Sequence, residues 1–184
     1  MLKNIYKSII LINYIMKYNF VGYGSLISHK SLKKTIPDKH FSPVIVKGYK
    51  RIFNLSGGGH HPSDYLNLRK SKKSKINGVL FQLNDSELLK IKRREPEYNL
   101  EETWAYDFLT DKKLCKCCIV IDYIISIDRM KKKPNKHYFT LCREAAYHIS
   151  RQFGMYWDAT TFTSYGENIL KWLRKNKKYD TIDK

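Results

Sequence analysis

The sequence has 184 residues and a formal net charge of +18, and 42% of its residues are hydrophobic and 14% aromatic. This length suits a single domain, which we expect to span residues 18–175, followed by a charged tail at 176–184 that frays. The hydrophobic content excludes a disordered or fibrous chain, because that much apolar surface requires a buried core.

The positive charge comes mainly from lysines, with short basic runs at 70–75, 131–133 and 174–178. Clustered basic side chains could neutralise phosphates. The sequence lacks a zinc finger, a basic helix followed by heptads, and the aromatic signature of an RNA-binding sheet. We therefore interpret the charge as a solvated basic surface and expect no specific nucleic-acid partner.

An apolar segment with two lysines, Lys3 and Lys7, opens the chain, and we expect residues 1–17 to form a helix or tail outside the core. Its apolar run is far shorter than the ~20 residues that a membrane-spanning helix needs, and no small-residue cleavage site follows. We expect no membrane partner. Met16 is an alternative start, because strand-like sequence begins at Tyr18.

A glycine turn follows the first predicted strand, 18–23, and opens a predicted helix at 26–35 that Pro37 ends. Gly22-Tyr23-Gly24 begins like a dinucleotide fingerprint, but Ile27 replaces its third glycine and no regular βαβ succession follows. Such a turn exposes backbone N–H groups beside a helix N-terminus, where a carboxylate or a developing oxyanion can bind.

The middle of the chain is dominated by predicted strands, at 42–54, 65–69, 78–83, 102–109 and 114–126. Between them, Asn84 and Glu87 predict a capped helix at 85–93, which ends before Pro96. Residues 57–62, with His60 and His61, are predicted to be a plain loop, because adjacent histidines lack a third metal ligand.

Three of the four cysteines, Cys115, Cys117 and Cys118, fall in the last of these strands. Neighbouring strand residues point to opposite faces and make poor disulfide partners. The C-x-C-C spacing also differs from that of a structural zinc site. We expect reduced cysteines in the core of a cytoplasmic protein, with no metal.

The last third is predicted to be helical after a loop at 129–135. Apolar residues recurring every four positions predict a core-facing stripe at Leu141, Ala145, Ile149 and Phe153. A final helix is predicted at 164–175, with Ile169, Leu170, Trp172 and Leu173 as its apolar residues. The order of elements predicts an α+β fold, with a small mixed barrel or curved sheet flanked by helices.

Four motifs occur in an order that resembles the γ-glutamylcyclotransferase-like superfamily, especially its ChaC-like and short bacterial members. They are Tyr23-Gly24-Ser25-Leu26, the segment Lys47-Gly48-Tyr49-Lys50-Arg51-Ile52-Phe53-Asn54, Ile76-Asn77-Gly78-Val79-Leu80-Phe81 followed by Glu87-Leu88, and Arg94-Glu95-x-x-Tyr98. They cover about residues 20–107. The helical segments with Pro134, Tyr138 and Thr160-Thr161 are similar to the superfamily's C-terminal half.

The resemblance implies a cyclotransferase that converts a γ-glutamyl group of glutathione, a γ-glutamyl amino acid or a γ-glutamyl amine into 5-oxoproline. It implies that Glu95 is the catalytic acid/base and that Tyr23, Gly24, Ser25 and Leu26 grip the substrate. Tyr98 and Tyr138 are implied as further substrate contacts, without a metal or cofactor. Glu97 is the fallback base, because residues two apart in an extended chain can face the same side.

Two other functions compete with this one. A catalytically silent protein of the same fold could bind a small acid or a protein partner, and a basic nucleic-acid binder is the third hypothesis. The cyclotransferase and the silent protein would share every residue of the loops, so the acid at Glu95 is the feature that favours the enzyme.

Overall fold

The computed structural model describes residues 17–56, 64–96, 98–123 and 133–182. Its strands are β1 (Tyr18–Gly22), β2 (Ser42–Ser56), β3 (Asp64–Leu83), β4 (Asn99–Asp107), β5 (Lys113–Ile121) and β6 (Thr161–Thr163). Its helices are α1 (His29–Leu32), α2 (Asp85–Arg94), α3 (Lys136–Ile149), α4 (Arg151–Ala159) and α5 (Ile169–Lys175), with 3₁₀ turns at Ser25–Ile27 and Lys177–Tyr179. No helix within these ranges is both long and apolar enough to span a bilayer.

Several predictions fall on other residues. The N-terminal helix or tail, the loop at 57–62, the end of the strand predicted to reach residue 126 and most of the loop at 129–135 lie outside the described ranges.

The sheet curves until it closes on itself. β1 pairs with β3 and β5, β4 pairs with β5 and β2, and β2 returns to β3, which completes a ring of five strands. β6 extends the far half of β2. The β1–β5 and β2–β6 pairs are parallel and the others antiparallel, so the sheet is mixed. The predicted α+β class, with a curved mixed sheet and flanking helices, is confirmed.

One long strand, Asp64–Leu83, replaces the two strands predicted at 65–69 and 78–83. Pairing with β2 shifts register from Lys47 opposite Lys75 to Tyr49 opposite Lys70, so the residues between bulge out of β3. Gly48, opposite the bulge, has a φ of +89°, which glycine adopts without steric cost. The basic run at 70–75, which separates the two predicted strands, is therefore part of one continuous strand that contains a bulge.

Two predicted helices are shorter than expected. The helix predicted at 26–35 divides into the 3₁₀ turn and α1, because Ser28 adopts an extended conformation and caps α1 by accepting from the Ser31 N–H. The helix predicted from residue 164 begins only at Ile169. The short strand β6 ends at Thr163, just before the predicted helix, and the sequence analysis did not predict it. Leu170 is exposed, so it is not part of the apolar face of α5.

The stripe predicted to be core is only partly buried, and most of it lies at the edge of the core. The helix breaks at Ser150, whose hydroxyl accepts from the Phe153 N–H and starts α4. Of the predicted stripe only Phe153 is fully buried, whereas Leu141, Ala145 and Ile149 are half-buried. The core side of α3 is instead formed by Phe139, Cys142, Arg143 and Ala146.

An aromatic cluster around Phe139 joins the sheet to the helices. The Phe139 ring lies 5.7 Å from Phe53 on β2, 6.0 Å from Trp157 on α4, and 5.8 Å from both Trp172 on α5 and Tyr179, measured between centroids. Tyr179 is buried by these contacts. Within the charged tail predicted at 176–184, Tyr179 therefore packs against the core.

A buried ion pair holds α3 against α4. Two nitrogens of Arg143 donate to Asp158 at 2.9 Å, and Tyr147 donates to the same carboxylate at 2.9 Å. Arg143 also donates to Asp180 at 2.5 Å, which ties down the chain after the last 3₁₀ turn. The side chains of Arg143 and Asp158 are 4% and 0% exposed. Each charge therefore needs the opposite charge of the other to offset the free-energy cost of its removal from water.

We expect Asp158→Ala to lower the free energy of unfolding by about 3–5 kcal/mol, because it leaves the Arg143 cation buried without its main partner. Asp180→Ala, which removes a partner with a 30% exposed side chain, should cost less. Urea-induced unfolding of both variants measures the difference. Equal losses would show that burial does not set the strength of this pair.

Candidate active site

A tight turn after β1 forms one wall of the site. Val21 and Tyr23 are buried at the end of β1, and the chain then turns at Gly24 into the 3₁₀ segment Ser25–Ile27. A Cβ added to Gly24 would lie 2.7 Å from the Tyr138 hydroxyl oxygen and 3.7 Å from Leu66 Cδ1. A side chain at position 24 would therefore require the Tyr138 hydroxyl to move.

Glu95 lies at the C-terminal end of α2. The capping box predicted for this helix is present, since Asn84 Oδ1 accepts from the Glu87 N–H at 2.9 Å and Glu87 Oε2 accepts from the Asn84 N–H at 3.0 Å. At the other end, the Glu95 N–H donates to the Ile91 carbonyl at 3.0 Å, and Pro96 follows. The helix therefore fixes where the Glu95 backbone lies.

The Glu95 side chain lies largely out of water and is 18% exposed. Burial raises its pKa above the ordinary value of a glutamate, and the adjacent Arg94 guanidinium partly offsets this effect. A carboxyl group with a raised pKa can both accept and donate a proton closer to neutral pH.

Arg94 connects Glu95 to the glycine turn, and sequence reasoning assigned it no role. Its Nε donates to Glu95 Oε1 at 3.1 Å, and its Nη2 donates to the hydroxyls of Ser25 at 3.0 Å and Ser31 at 2.8 Å. Nη1 donates to the Ser31 carbonyl at 2.9 Å and to the Thr35 hydroxyl at 3.0 Å. Arg94 stands beside Glu95 in the Arg94-Glu95-x-x-Tyr98 motif, which is the one sequence signal for this role.

Three tyrosines complete the walls. Tyr98 donates to the Leu66 carbonyl at 2.5 Å, and the Tyr138 ring packs edge-on against Tyr65 with centroids 4.8 Å apart. The hydroxyl of Tyr23 is buried and has no hydrogen-bond partner among the described residues. Burial raises the pKa of both Tyr23 and Tyr138 well above the ordinary tyrosine value, so both hydroxyls keep their protons.

The seven residues named from the sequence line one pocket. The lining consists of Tyr23, Gly24, Ser25, Leu26, Glu95, Tyr98 and Tyr138, joined by Leu66 and Val120, which the sequence did not indicate. The pocket volume is about 20 Å³, which is room for about one water molecule. The fallback base, Glu97, lies outside the described residues.

A buried cation lies behind this pocket. Arg51 is fully buried and interacts electrostatically with Tyr23 and Tyr138. Its Nη2 donates to the Asn77 side-chain oxygen at 2.8 Å, and its Nη1 donates to the Thr161 hydroxyl at 3.3 Å. Its Nε has no hydrogen-bond partner in the described part of the chain. Burial lowers the pKa of Arg51 to about 9. Nothing in the residues around Arg51 in the sequence indicated this burial.

Within the described ranges, no three His, Cys, Asp or Glu side chains lie close enough together to hold a metal ion. The four cysteines are free thiols, with Cys117 and Cys142 buried. The His60–His61 pair, predicted to be a plain loop, lies outside the described residues.

The fold is similar to that of several solved structures. One described as a gamma-glutamyl cyclotransferase is 14% identical, over 90% of this chain and 100% of that chain, with a TM-score of 0.63. An uncharacterised protein from Homo sapiens is 15% identical over 88% of this chain and 98% of that chain, with a TM-score of 0.65. A protein from Arabidopsis thaliana is 18% identical over 91% and 90%, with a TM-score of 0.52.

No protein-family model matches the sequence, and no curated protein matches it significantly. At such low identities the structural likeness establishes the fold alone. The chain therefore has a γ-glutamylcyclotransferase-like fold, as the sequence motifs predicted.

We expect Gly24→Ala to lower the free energy of unfolding by about 1–3 kcal/mol, because the added methyl group collides with the Tyr138 hydroxyl. The loss should be smaller in a Tyr138→Phe background, where that hydroxyl is missing. A double-mutant cycle from urea unfolding measures the coupling, which should exceed about 0.5 kcal/mol. An identical cost in both backgrounds would contradict the contact.

Proposed function

We propose that this protein is a γ-glutamylcyclotransferase. It would cyclise the γ-glutamyl group of glutathione, a γ-glutamyl amino acid or a γ-glutamyl amine to 5-oxoproline and release the amine. The observation that carries the proposal is the convergence of Glu95, a largely buried acid, with the Tyr23–Leu26 turn on one pocket. The fold adds support, since a solved structure that shares it is described as a gamma-glutamyl cyclotransferase.

Glu95 is the proposed general acid/base. As the carboxylate, it takes a proton from the substrate α-ammonium group, which frees the nitrogen lone pair. That nitrogen attacks the γ-carbonyl carbon, forming the ring C–N bond and a tetrahedral oxyanion. Glu95 then donates the proton to the departing nitrogen as the original C–N bond breaks and the carbonyl re-forms. The ring nitrogen still carries two protons at this stage, and it gives one of them to the Glu95 carboxylate, which passes it to solvent. Both reacting groups belong to one molecule, so positioning supplies much of the rate enhancement.

The charge on the tetrahedral oxygen needs hydrogen-bond donors. The Tyr23 hydroxyl is buried, protonated and lacks a partner among the described residues, so it is available to donate. The first N–H groups of the Ser25–Ile27 turn lack acceptors within that turn, because the opening residues of any helix do. Donors fixed before the reaction stabilise developing charge without reorganisation.

Substrate entry requires the pocket to widen, because a γ-glutamyl group is much larger than a cavity of about 20 Å³. The Tyr138 hydroxyl lies against Gly24 and fills the space over the turn. Rotation of the Tyr138 side chain would open that space, and the ring would then contact the bound substrate. In this proposal Tyr98, hydrogen-bonded to the Leu66 carbonyl, is a fixed wall.

The small cavity favours the second candidate function. A catalytically silent protein that binds a small acid, or a protein partner, needs no room for a γ-glutamyl amide. Turnover distinguishes the two functions, since a silent protein would bind without releasing 5-oxoproline.

We expect the protein to release 5-oxoproline from at least one of glutathione, γ-glutamyl-alanine and a γ-glutamyl amine, and Glu95→Gln to reduce kcat by at least about a hundredfold. Glu102→Gln, at an exposed position on β4, is the matched control and should keep full activity. Glu97→Gln tests the fallback base. Chromatographic measurement of 5-oxoproline provides the rates.

The Gln variant should remain folded. Because the pKa of Glu95 is raised, the folded state holds its proton more tightly than the unfolded state, and stability falls as pH rises through the interval between the two pKa values. Above that interval Glu95→Gln removes a buried charge, so it should be no less stable than the natural protein. Activity lost in Glu97→Gln but retained in Glu95→Gln would refute the assignment of the base, and no turnover of any substrate would favour the silent function.

The pH dependence of kcat/KM should report the titration of Glu95. Activity should fall as pH drops through a value above the ordinary pKa of glutamate, since the protonated acid cannot accept the substrate proton. Arg94→Gln removes the cation that lowers this pKa, so the acid limb should move to higher pH. Circular dichroism checks that this variant is folded. A folded variant whose limb stays in place or moves to lower pH would contradict the role of Arg94.

A further inference from the structure

A cavity of about 720 Å³ lies between α1 and α3 and shares no lining residue with the proposed catalytic pocket. We name it the α1–α3 groove. Its apolar lining consists of Ile27, Phe41, Pro43, Leu141, Ala145 and Ile149. A concave apolar surface of this size on a folded domain marks a place where another apolar element binds.

The α3 wall of the groove is the apolar stripe that the sequence predicted to be core. Leu141, Ala145 and Ile149 are half-buried and line the groove, while Cys142 and Ala146 on the same helix pack into the core. Eight residues of helix separate the ends of the stripe, or ~12 Å at 1.5 Å per residue. The wall is therefore long enough to take about two turns of another helix.

The charges at the groove do not select its occupant. Lys30 and Glu144 both line it and have opposite signs, and Glu144 has no cationic partner within the described ranges. Lys39 is paired with Glu87 at 2.6 Å. The occupant is therefore determined by apolar surface and by position.

The chain has an apolar segment that could cover this surface. Residues 1–16, which we name the N-terminal segment, lie outside the described ranges and contain eleven hydrophobic residues. Four of them recur at intervals of three and four positions and would share one face of a helix, namely Leu2, Ile5, Ile9 and Ile12. The stretch from Ile5 to Ile12 would cover ~10 Å, which is close to the length of the α3 wall.

The N-terminal segment joins the described chain close to the groove. β1, which begins at Tyr18, pairs with one edge of β3, and the part of β2 that contains Pro43 pairs with the other edge. Two strand spacings, ~10 Å, therefore separate β1 from the groove wall across the sheet. The ring contacts agree, since the Phe81 ring lies 5.5 Å from Phe20 on β1 and 5.5 Å from Phe41 in the groove, measured between centroids.

The connection is long enough for the segment to reach the groove. Residues 13–17 join Ile12 to Tyr18 and span up to ~20 Å when extended. A segment tethered in this way is present at an effective concentration of about millimolar. The tether favours the N-terminal segment over a second copy of the chain or a free ligand as the occupant.

We propose that the N-terminal segment folds back as an amphipathic helix and covers the α1–α3 groove. Leu2, Ile5, Ile9 and Ile12 pack against the apolar lining in this arrangement. The inference does not depend on the proposed cyclotransferase reaction.

The two walls of the groove continue into the proposed catalytic pocket. Ile27 follows Leu26 of the glycine turn, and Leu141 lies three residues after Tyr138 on α3. A helix packed between these walls holds the turn and α3 at a fixed separation. The N-terminal segment would thus support the pocket without touching a substrate.

The test is photo-crosslinking in the full chain, with p-benzoylphenylalanine replacing Ile9. Ultraviolet irradiation should produce a crosslink within one chain to residues 39–43 or 141–149, identified by mass spectrometry of the digested protein. The matched control carries the same group in place of Lys7, which lies on the opposite face of the helix. That position should crosslink to the groove at least about fivefold less, because its side chain points away.

Stability provides a second measurement. Ile9→Glu and Ala145→Glu bring a charge into the same contact from its two sides, and each should lower the Tm by at least about 4 °C. The double variant should lose less than the sum of the two, because either change alone already breaks the contact. Leu11→Glu, on the opposite helical face, and Met155→Glu, at an exposed position on α4, are the matched controls and should show no such coupling.

Three results would overturn the proposal. The first is crosslinking to the groove that is absent from position 9 or equally strong from position 7. The second is a crosslinked dimer on a denaturing gel, since the groove would then take the segment of a second copy. The third is strict additivity of Ile9→Glu and Ala145→Glu. If Ala145→Glu fails to fold, the crosslink from position 9 still decides the outcome.

Discussion

Arg94 holds together two parts of the protein that lie far apart in the sequence. Its guanidinium reaches the hydroxyl of Ser25, 69 residues away, while another of its nitrogens contacts the neighbouring Glu95. A guanidinium is flat and presents its donors in fixed directions, so one rigid group sets the position of the acid relative to the glycine turn. Ser31 and Thr35 use the remaining donors, which prevents the group from turning away.

Groups that are expensive to bury collect in the pocket and directly behind it. Glu95 lies largely out of water, Tyr23 has a hydroxyl without a partner among the described residues, and Arg51 is a fully buried cation that contacts only neutral groups through its hydrogen bonds. Each of these costs folding free energy. Such groups commonly collect where a protein binds or transforms a ligand, because the same desolvation strengthens their interactions there.

The sequence predicted best the features that depend on local chemistry. The capping box of α2 and the turn at Gly24 follow from neighbouring residues, and both are present. The bulge opposite Gly48 and the burial of Arg51 could not be predicted in this way, because each depends on an element distant in the sequence. The apolar stripe of α3 shows the limit clearly. Periodicity identified an apolar face, but the helix has a second one, and only packing decides which face enters the core.

The seven site residues meet at one pocket because the sheet closes on itself. Gly24 follows β1, Glu95 follows α2 and Tyr138 begins α3, so no sequence window contains them all. The order of the sequence motifs predicted these residues as the site, but only the ring of strands brings them within reach of one another. The roles of Arg94 and Leu66 depend on that same long-range geometry, which explains why reading the sequence did not reveal them.

The hydrogen bond from Arg143 to Asp180 affects how the protein assembles during synthesis. Arg143 meets Asp158 after 15 further residues and Asp180 only after 37. Until residue 180 has left the ribosome, α3 therefore lacks one of its two charged anchors, and the Phe139 ring lacks its contact with Tyr179. The pairings that close the ring involve β1 to β5 alone, and all of these strands precede residue 122, so the strands can pair before the helical side has its last partners.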